Sequence, residues 1–212
     1  RFSFSSFPQK KMENEILAWQ KKGNDPKKVR LLVLKNVEKL DPVIGRFENI
    51  EKVQFSMCGE AILENIHLLP NIQEIELDLT HARYSADLNK LRKLNAFRLR
   101  KSSITGVLDH TFLTSLSDLE LFYGAMGNDT LPLERIQCLE RLRIIGMIEG
   151  SIILNQIDFS RMTCLESVYI NNTYGGMTGF PVHLAENKLD YFRMVNFSFS
   201  QAEQALYQQY KK

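Results

Sequence analysis

Apolar and polar residues follow one frame along most of this chain: apolar-x-x-apolar-x-apolar. It fits VRLLVL from Val29, IEKVQF from Ile50, IQEIEL from Ile72 and LNAFRL from Leu94. It returns in LSDLEL from Leu116, LERLRI from Leu139, LESVYI from Leu165 and LDYFRM from Leu189. Successive starts are 21, 22, 22, 22, 23, 26 and 24 residues apart. The last three positions alternate with the period of two that a strand with one buried face requires. Eight matches at a near-constant step predict a stack of like units. One unit cannot bury its apolar face alone, whereas stacked units share a continuous core.

Between strands, about 12 residues must return to the next strand entry. Ile62, Leu63, Ile66 and Leu69 in EAILENIHLLP, and Leu88 and Leu91 in SADLNKLRK, carry short helical patterns. The segments YGAMGND and YGGMTGFP read as loops, since neither carries the Gly-Lys-Ser/Thr of a phosphate loop. EGSIILNQIDF reads as convex packing.

From Val29 to about Phe197 the chain resembles the leucine-rich repeat family. The resemblance implies an α/β fold: a leucine-rich-repeat solenoid, or curved horseshoe, with a parallel concave sheet, short convex helices or 3₁₀ turns, and helical caps at both ends. The repeats depart from the family at one place. Where the family puts Asn, three residues after the last apolar strand position, this chain has Val37, Cys58, Thr80, Ser102, Gly124, Met147, Thr173 and Phe197. The asparagine ladder is absent.

Polar cover is expected at the ends of a solenoid. In MENEILAWQKKG, Met12, Ile16, Trp19 and Gln20 fall at helical spacing, Glu13 and Glu15 come early, Lys21 and Lys22 late, and Gly23 suits the stop. In SQAEQALYQQYKK, Ser200 and Glu203 have capping-box spacing, with Ala202, Leu206 and Tyr210 on one helical face. The expected organisation is therefore an N-terminal segment and cap over 1–28, eight repeats over 29–197 and a C-terminal cap over 198–212.

The outward strand positions line the concave side, the usual binding surface of such folds. Their middle row includes Glu76, Arg98, Glu120 and Arg143, side by side with alternating sign, about 4.8 Å between strands. Asp78 with Arg100, and Asp118 with Arg141, repeat the alternation in the flanking rows. Lateral pairing keeps such a face soluble, and a mixed-charge face also suits a patterned protein surface. Phe122, Tyr123, Tyr169 and Tyr191 point away from the core in this frame, with Arg143 and Arg193 among them, the composition of interaction hot spots. The candidate partner-binding residues are Glu76, Arg98, Glu120, Phe122, Tyr123, Arg143, Tyr169, Asn171, Tyr191 and Arg193.

Composition narrows the partner. A net charge of +2 over 212 residues, with charges alternating on the inner face, argues against nucleic acid. No apolar run reaches the roughly 20 residues a membrane span needs. Cys58, Cys138 and Cys164 have no Cys-x-x-Cys spacing and read as buried, unpaired thiols of a reducing, cytoplasmic compartment. Sequons at Asn128, Asn171 and Asn196 leave secretion open. The histidines fall in separate repeats, and no metal or nucleophile motif occurs. We therefore expect no catalytic residues, cofactor or metal. The expected function is a monomeric protein–protein recognition module binding on its concave face, alone or as the recognition part of a larger receptor, adaptor, ligase or bacterial effector. The alternative is the scaffold of an enzyme whose catalytic domain lies outside this sequence.

Overall fold

The computed structural model describes residues 1–5, 11–106, 110–123, 125–126, 133, 136–146, 152–173, 175, 177–181, 184 and 189–210. Gly124, Asn128, Met147, His183, Lys211 and Lys212 lie outside them. The strands are β1 (Phe2–Ser5), β2 (Leu31–Lys35), β3 (Lys52–Ser56), β4 (Glu74–Asp78), β5 (His81–Arg83), β6 (Ala96–Arg100) and β7 (Ser103–Thr105). They continue with β8 (Asp118–Phe122), β9 (Ala125–Met126), β10 (Arg141–Ile145), β11 (Ile152–Ile153), β12 (Ser167–Asn171), β13 (Met177–Thr178) and β14 (Tyr191–Val195). Two α-helices, α1 (Met12–Lys21) and α2 (Gln201–Tyr210), lie near the ends.

All eight frame segments form five-residue strands, and they join one parallel sheet in the order β1-β2-β3-β4-β6-β8-β10-β12-β14. The register keeps the frame in phase, for example Gln54 beside Glu76 and Arg98 beside Glu120. At each strand entry one carbonyl accepts two N–H groups from the next repeat. The Glu51 carbonyl takes those of Gln73 (2.7 Å) and Glu74 (3.0 Å), and the Gln73 carbonyl those of Asn95 (2.9 Å) and Ala96 (3.0 Å). All three apolar positions of every repeat are buried, so each type of position forms a continuous column through the core. Such a side chain contributes about 1.5–3 kcal/mol on burial.

The sheet has nine strands, one more than the eight repeats lead one to expect. The extra strand is β1, which pairs in parallel with β2, Phe2 beside Leu32 and Phe4 beside Leu34. Phe2 packs edge-on against Trp19 of α1 at 5.2 Å and lies tilted against Phe47 at 5.0 Å. Trp19 thus anchors the N-terminal cap. Gly23 stops α1 at φ 83°, its N–H donating to the Gln20 carbonyl at 2.9 Å.

The return segments hold 3₁₀ turns, among them Pro42–Arg46, Ile66–Leu68, Ala86–Lys90 and Phe159–Arg161, with no full helix among the described residues. Short second ladders follow the concave strands, β5-β7-β9 and β11-β13. Ile152–Ile153 of EGSIILNQIDF is thus a strand in one of them.

A hydroxyl ladder occupies part of the place of the missing asparagines. The Thr80 hydroxyl accepts the Cys58 N–H at 3.1 Å and donates to the Asp78 carbonyl at 2.9 Å. Ser102 repeats the motif, accepting the Thr80 N–H and donating to the Arg100 carbonyl. The Cys58 thiol lies 3.5 Å from the Ser56 carbonyl, the same two-residue reach. Thr80 and Ser102 are both fully buried.

The C-terminal helix packs differently from the expected face. Ser200 and Glu203 form the capping box, with Ser200 N–H to Glu203 at 2.8 Å and Glu203 N–H to Ser200 Oγ at 3.3 Å. Ala202 is exposed, however, and Tyr207 takes the inner position beside Leu206 and Tyr210. Its hydroxyl accepts the Met194 N–H at 3.3 Å and donates to the Met194 carbonyl at 3.2 Å, tying α2 to β14.

The cysteines also differ from expectation. Cys58 is buried, whereas Cys138 and Cys164 are exposed, each on a turn just before a concave strand; all three are free thiols. Burial pushes the Cys58 thiol pKa above its ordinary value, with backbone groups of Val37 and Ser56 acting in the opposite sense.

Candidate partner-binding face

Each concave strand holds its first, third and fifth side chains away from the core. The register sets Glu76, Arg98, Glu120, Arg143, Tyr169 and Arg193 in one row across β4, β6, β8, β10, β12 and β14. The ion pairs do not simply follow that row. Arg98 bonds Glu74 and Asp118, at 3.1 Å for the latter, and Arg100 bonds Glu76 at 3.2 Å and Glu120 at 3.1 Å. Both arginines of β6 thus reach one row back along the strand and bridge β4 to β8. Strand side chains lean along the strand direction, and an arginine is long enough to exploit this. The carboxylates pair laterally at the two ends of this network, Glu74 with Lys52 of β3 at 2.6 Å, and Asp118 with Arg141 at 3.2 Å and Glu120 with Arg143 at 3.8 Å on β10.

The carboxylates and Arg98 form the floor of this network, and the guanidinium groups of Arg141 and Arg143 its roof. Side-chain exposure is 11% for Glu76 and 12% for Glu120, against 55% for Arg143 and 56% for Arg141. Glu76 and Glu120 therefore hold arginines in place rather than facing outward. On the near side, Lys52 reaches Glu74 at 2.6 Å and the Gln54 amide donates to Glu76 at 3.0 Å. Burial alone would lower the Arg100 pKa, but the carboxylates of Glu76 and Glu120 raise it above its ordinary value.

Past β8 the face changes character. The outward residues of β10, β12 and β14 are Arg141, Arg143 and Ile145, then Ser167, Tyr169 and Asn171, then Tyr191, Arg193 and Val195. No carboxylate is among them. The Arg143 guanidinium stands over the Tyr169 ring, 5.4 Å from its centroid. Together with Tyr191, these residues line an open groove of about 480 Å³ whose floor is Asp118 and Glu120. Tyr191 is 45% exposed. Beyond β12 the Asn172 side-chain amide donates to the Met177 carbonyl at 3.0 Å and its Oδ1 accepts the Met177 N–H at 3.2 Å.

Three candidates sit apart from this groove's open surface. Tyr123 lies one residue past β8 with φ 51°, its ring edge-on to Phe122 at 4.8 Å, so this pair belongs to the rim. Asn171 Oδ1 accepts the Thr173 N–H at 3.1 Å and the Asn196 amide N–H at 2.9 Å, which ties the side chain to the turn below.

The rim carries a feature that the repeat frame does not mark. The residue following the concave strand is left-handed at Asn36, Met57, Leu79, Lys101, Tyr123, Gly146 and Asn196. There the N–H can reach the last carbonyl of the next strand, as Leu79 does to Arg100 at 2.9 Å. Met57 and Leu79 are apolar yet 51% and 47% exposed, and they line a second groove of about 610 Å³ with Glu38, Glu60 and Arg83. The available signal was their phase, out of step with both core and turn.

Among the described residues no cluster of His, Cys, Asp or Glu is disposed to hold a metal ion, and no helix is long and apolar enough to cross a membrane.

No protein-family model matches this chain, and no curated protein matches it in sequence. Solved structures do match in shape. Internalin C2 of Listeria monocytogenes aligns with a TM-score of 0.58 at 20% identity, covering 80% of this chain and 72% of that one. An internalin of the same organism, inlF, aligns with a TM-score of 0.56 at 13% identity, covering 80% of this chain and 54% of that one. At these identities the likeness is one of fold: a leucine-rich-repeat solenoid built on a large parallel sheet.

Proposed function

We propose that this leucine-rich-repeat solenoid is a protein-recognition module that binds its partner on the C-terminal half of the concave face. One observation carries this reading. Tyr169, Tyr191 and Arg143 line an open groove, and they stand on a rigid sheet beside an ion-pair network that is already satisfied. Preorganised Tyr and Arg side chains lose little freedom on binding, which is why they dominate interface energetics. Arg98, Glu76 and Glu120 serve the site from below by fixing the arginines. Phe122 and Tyr123 form one rim, and Asn171 shapes the turn at the other. The chemistry is recognition rather than turnover, and the partner supplies what specificity requires.

The test is affinity capture with the intact chain, followed by calorimetry on the captured protein. Tyr169→Ala and Arg143→Ala should each weaken binding by about 2 kcal/mol. Lys35→Ala and Gln54→Ala, on the N-terminal half of the same face, should have smaller effects. Affinity lost only in the Lys35 and Gln54 variants would overturn the assignment of the site.

A further inference from the structure

The geometry points to an acidic stretch of polypeptide as the partner segment: Asp and Glu carboxylates seated on Arg141, Arg143 and Arg193, with Tyr169 and Tyr191 packing beside them. This rests on the concave-face reading above and adds the chemistry of the occupant.

The argument is one of charge left over. Asp118 and Glu120 are each held by a β6 arginine, Arg98 and Arg100, at 3.1 Å. Arg141 and Arg143 are second cations on those carboxylates, and both are more than half exposed. Arg193 is exposed and makes no ion pair among the described residues. The outward positions of β10, β12 and β14 thus carry three cations and no anion. Arg143 and Arg193 flank Tyr169 in one row, their strands roughly 10 Å apart. A guanidinium presents paired donors that match a carboxylate, and the exposed Tyr191 ring offers apolar contact beside it.

The surroundings select a short acidic segment over a long polyanion. Glu74, Glu76 and Asp78 lie on β4, and Asp118 and Glu120 on β8. The β6 arginines are already matched by Glu74, Glu76, Asp118 and Glu120, so a nucleic acid or sulfated polysaccharide running along the face would find no unmatched cation over β4–β8. A polypeptide can place its acidic residues over β10–β14 and neutral or basic ones over β4–β8.

The experiment uses a short Glu-rich synthetic peptide, its Gln counterpart, inorganic phosphate and heparin, each titrated against the full chain while the arginine Nε–H signals are followed by NMR. The expected result is a saturable shift of Arg141, Arg143 and Arg193 with the Glu peptide, weakened by added salt and absent with the Gln peptide. The triple variant R141Q/R143Q/R193Q should bind the Glu peptide at least about tenfold more weakly while melting as the parent does. Equal shifts with the Gln peptide, or tighter binding of heparin or phosphate at the same signals, would overturn the inference. A second arm separates the two levels. If the triple variant still captures the protein partner while Tyr169→Ala/Tyr191→Ala does not, the concave site stands and its acidic occupant falls. If both variants capture it undiminished, both readings fall.

Discussion

The Ser102 hydroxyl lies 3.1 Å from the backbone nitrogen of Thr80 and joins two repeats, accepting that N–H while donating its own proton to the Arg100 carbonyl at 2.8 Å. Replacing it leaves a fully buried N–H without a partner. Ser102→Ala, and Thr80→Val for the Cys58 N–H, should each cost about 1–3 kcal/mol. Urea unfolding measures this directly, and an unchanged midpoint for both would remove the ladder from the list of stabilising features.

Leu79 combines φ 48° with an exposed side chain. A left-handed non-glycine residue costs about 1–2 kcal/mol, least for Asn and Asp. Leu79→Asn should therefore raise stability by about 1 kcal/mol, and Leu79→Val should lower it. The thermal midpoints of the two variants must move in opposite directions.

Arg98 and Arg143 test the floor-and-roof arrangement. Arg98 is only 20% exposed and serves Glu74 and Asp118 together. Arg98→Met should cost about 2 kcal/mol, between the ~0–1 of exposed pairs and the 3–5 of broken buried ones. Arg143→Ala should cost less than about 1 kcal/mol, because Glu120 keeps Arg100. Equal losses in denaturant unfolding would contradict the picture.

Asp87 links two convex turns. It accepts the Asn65 N–H at 2.8 Å, pairs with Lys90 at 2.7 Å and lies 3.0 Å from His67 Nδ1. Burial pushes its pKa up, but these partners prevail and hold it below the ordinary value of 3.8. A depressed folded pKa stabilises above the unfolded value, and that stability is lost as pH falls through 3.8 and then the folded value. Asp87→Asn should be less stable at neutral pH and lose less between neutral pH and the acid limb. Parallel stability–pH curves for the two proteins would rule out this role.

The thiols should react in two classes. Cys138 and Cys164 are exposed and should titrate at once with a disulfide reagent, while Cys58 is buried with a raised pKa and should wait for unfolding. Reductant should leave the melting temperature unchanged. Fewer than two fast thiols in protein never treated with reductant would indicate a disulfide.

The repeat frame located all eight strands and their register because burial of three positions per repeat leaves no other phase. It missed β1, since Phe2 and Phe4 alternate for only four residues and lack the leading apolar position. It placed the charges in the correct rows and paired Asp118 with Arg141 and Glu120 with Arg143, but gave Arg98 and Arg100 lateral partners, because spacing says where a Cα sits and not how far an arginine reaches. The helical wheel of α2 selected Ala202 over Tyr207, and the packing of Phe192 and Phe199 against Tyr207, with its hydroxyl on the Met194 backbone, distinguishes them. Nor could composition separate buried Cys58 from exposed Cys138 and Cys164, which precede their frames by a single residue.

Repeat length varies from 21 to 26 residues, yet every concave strand among the eight repeats is five residues long. The variation is taken up behind the sheet, in the return segments. Outward side chains consequently occupy fixed addresses, and a change of residue at one address leaves the spacing of the others untouched. Such a face can drift from one binding specificity to another by single substitutions, without passing through an unfolded or misregistered ancestor. Insertions, by the same token, are tolerable only on the far side.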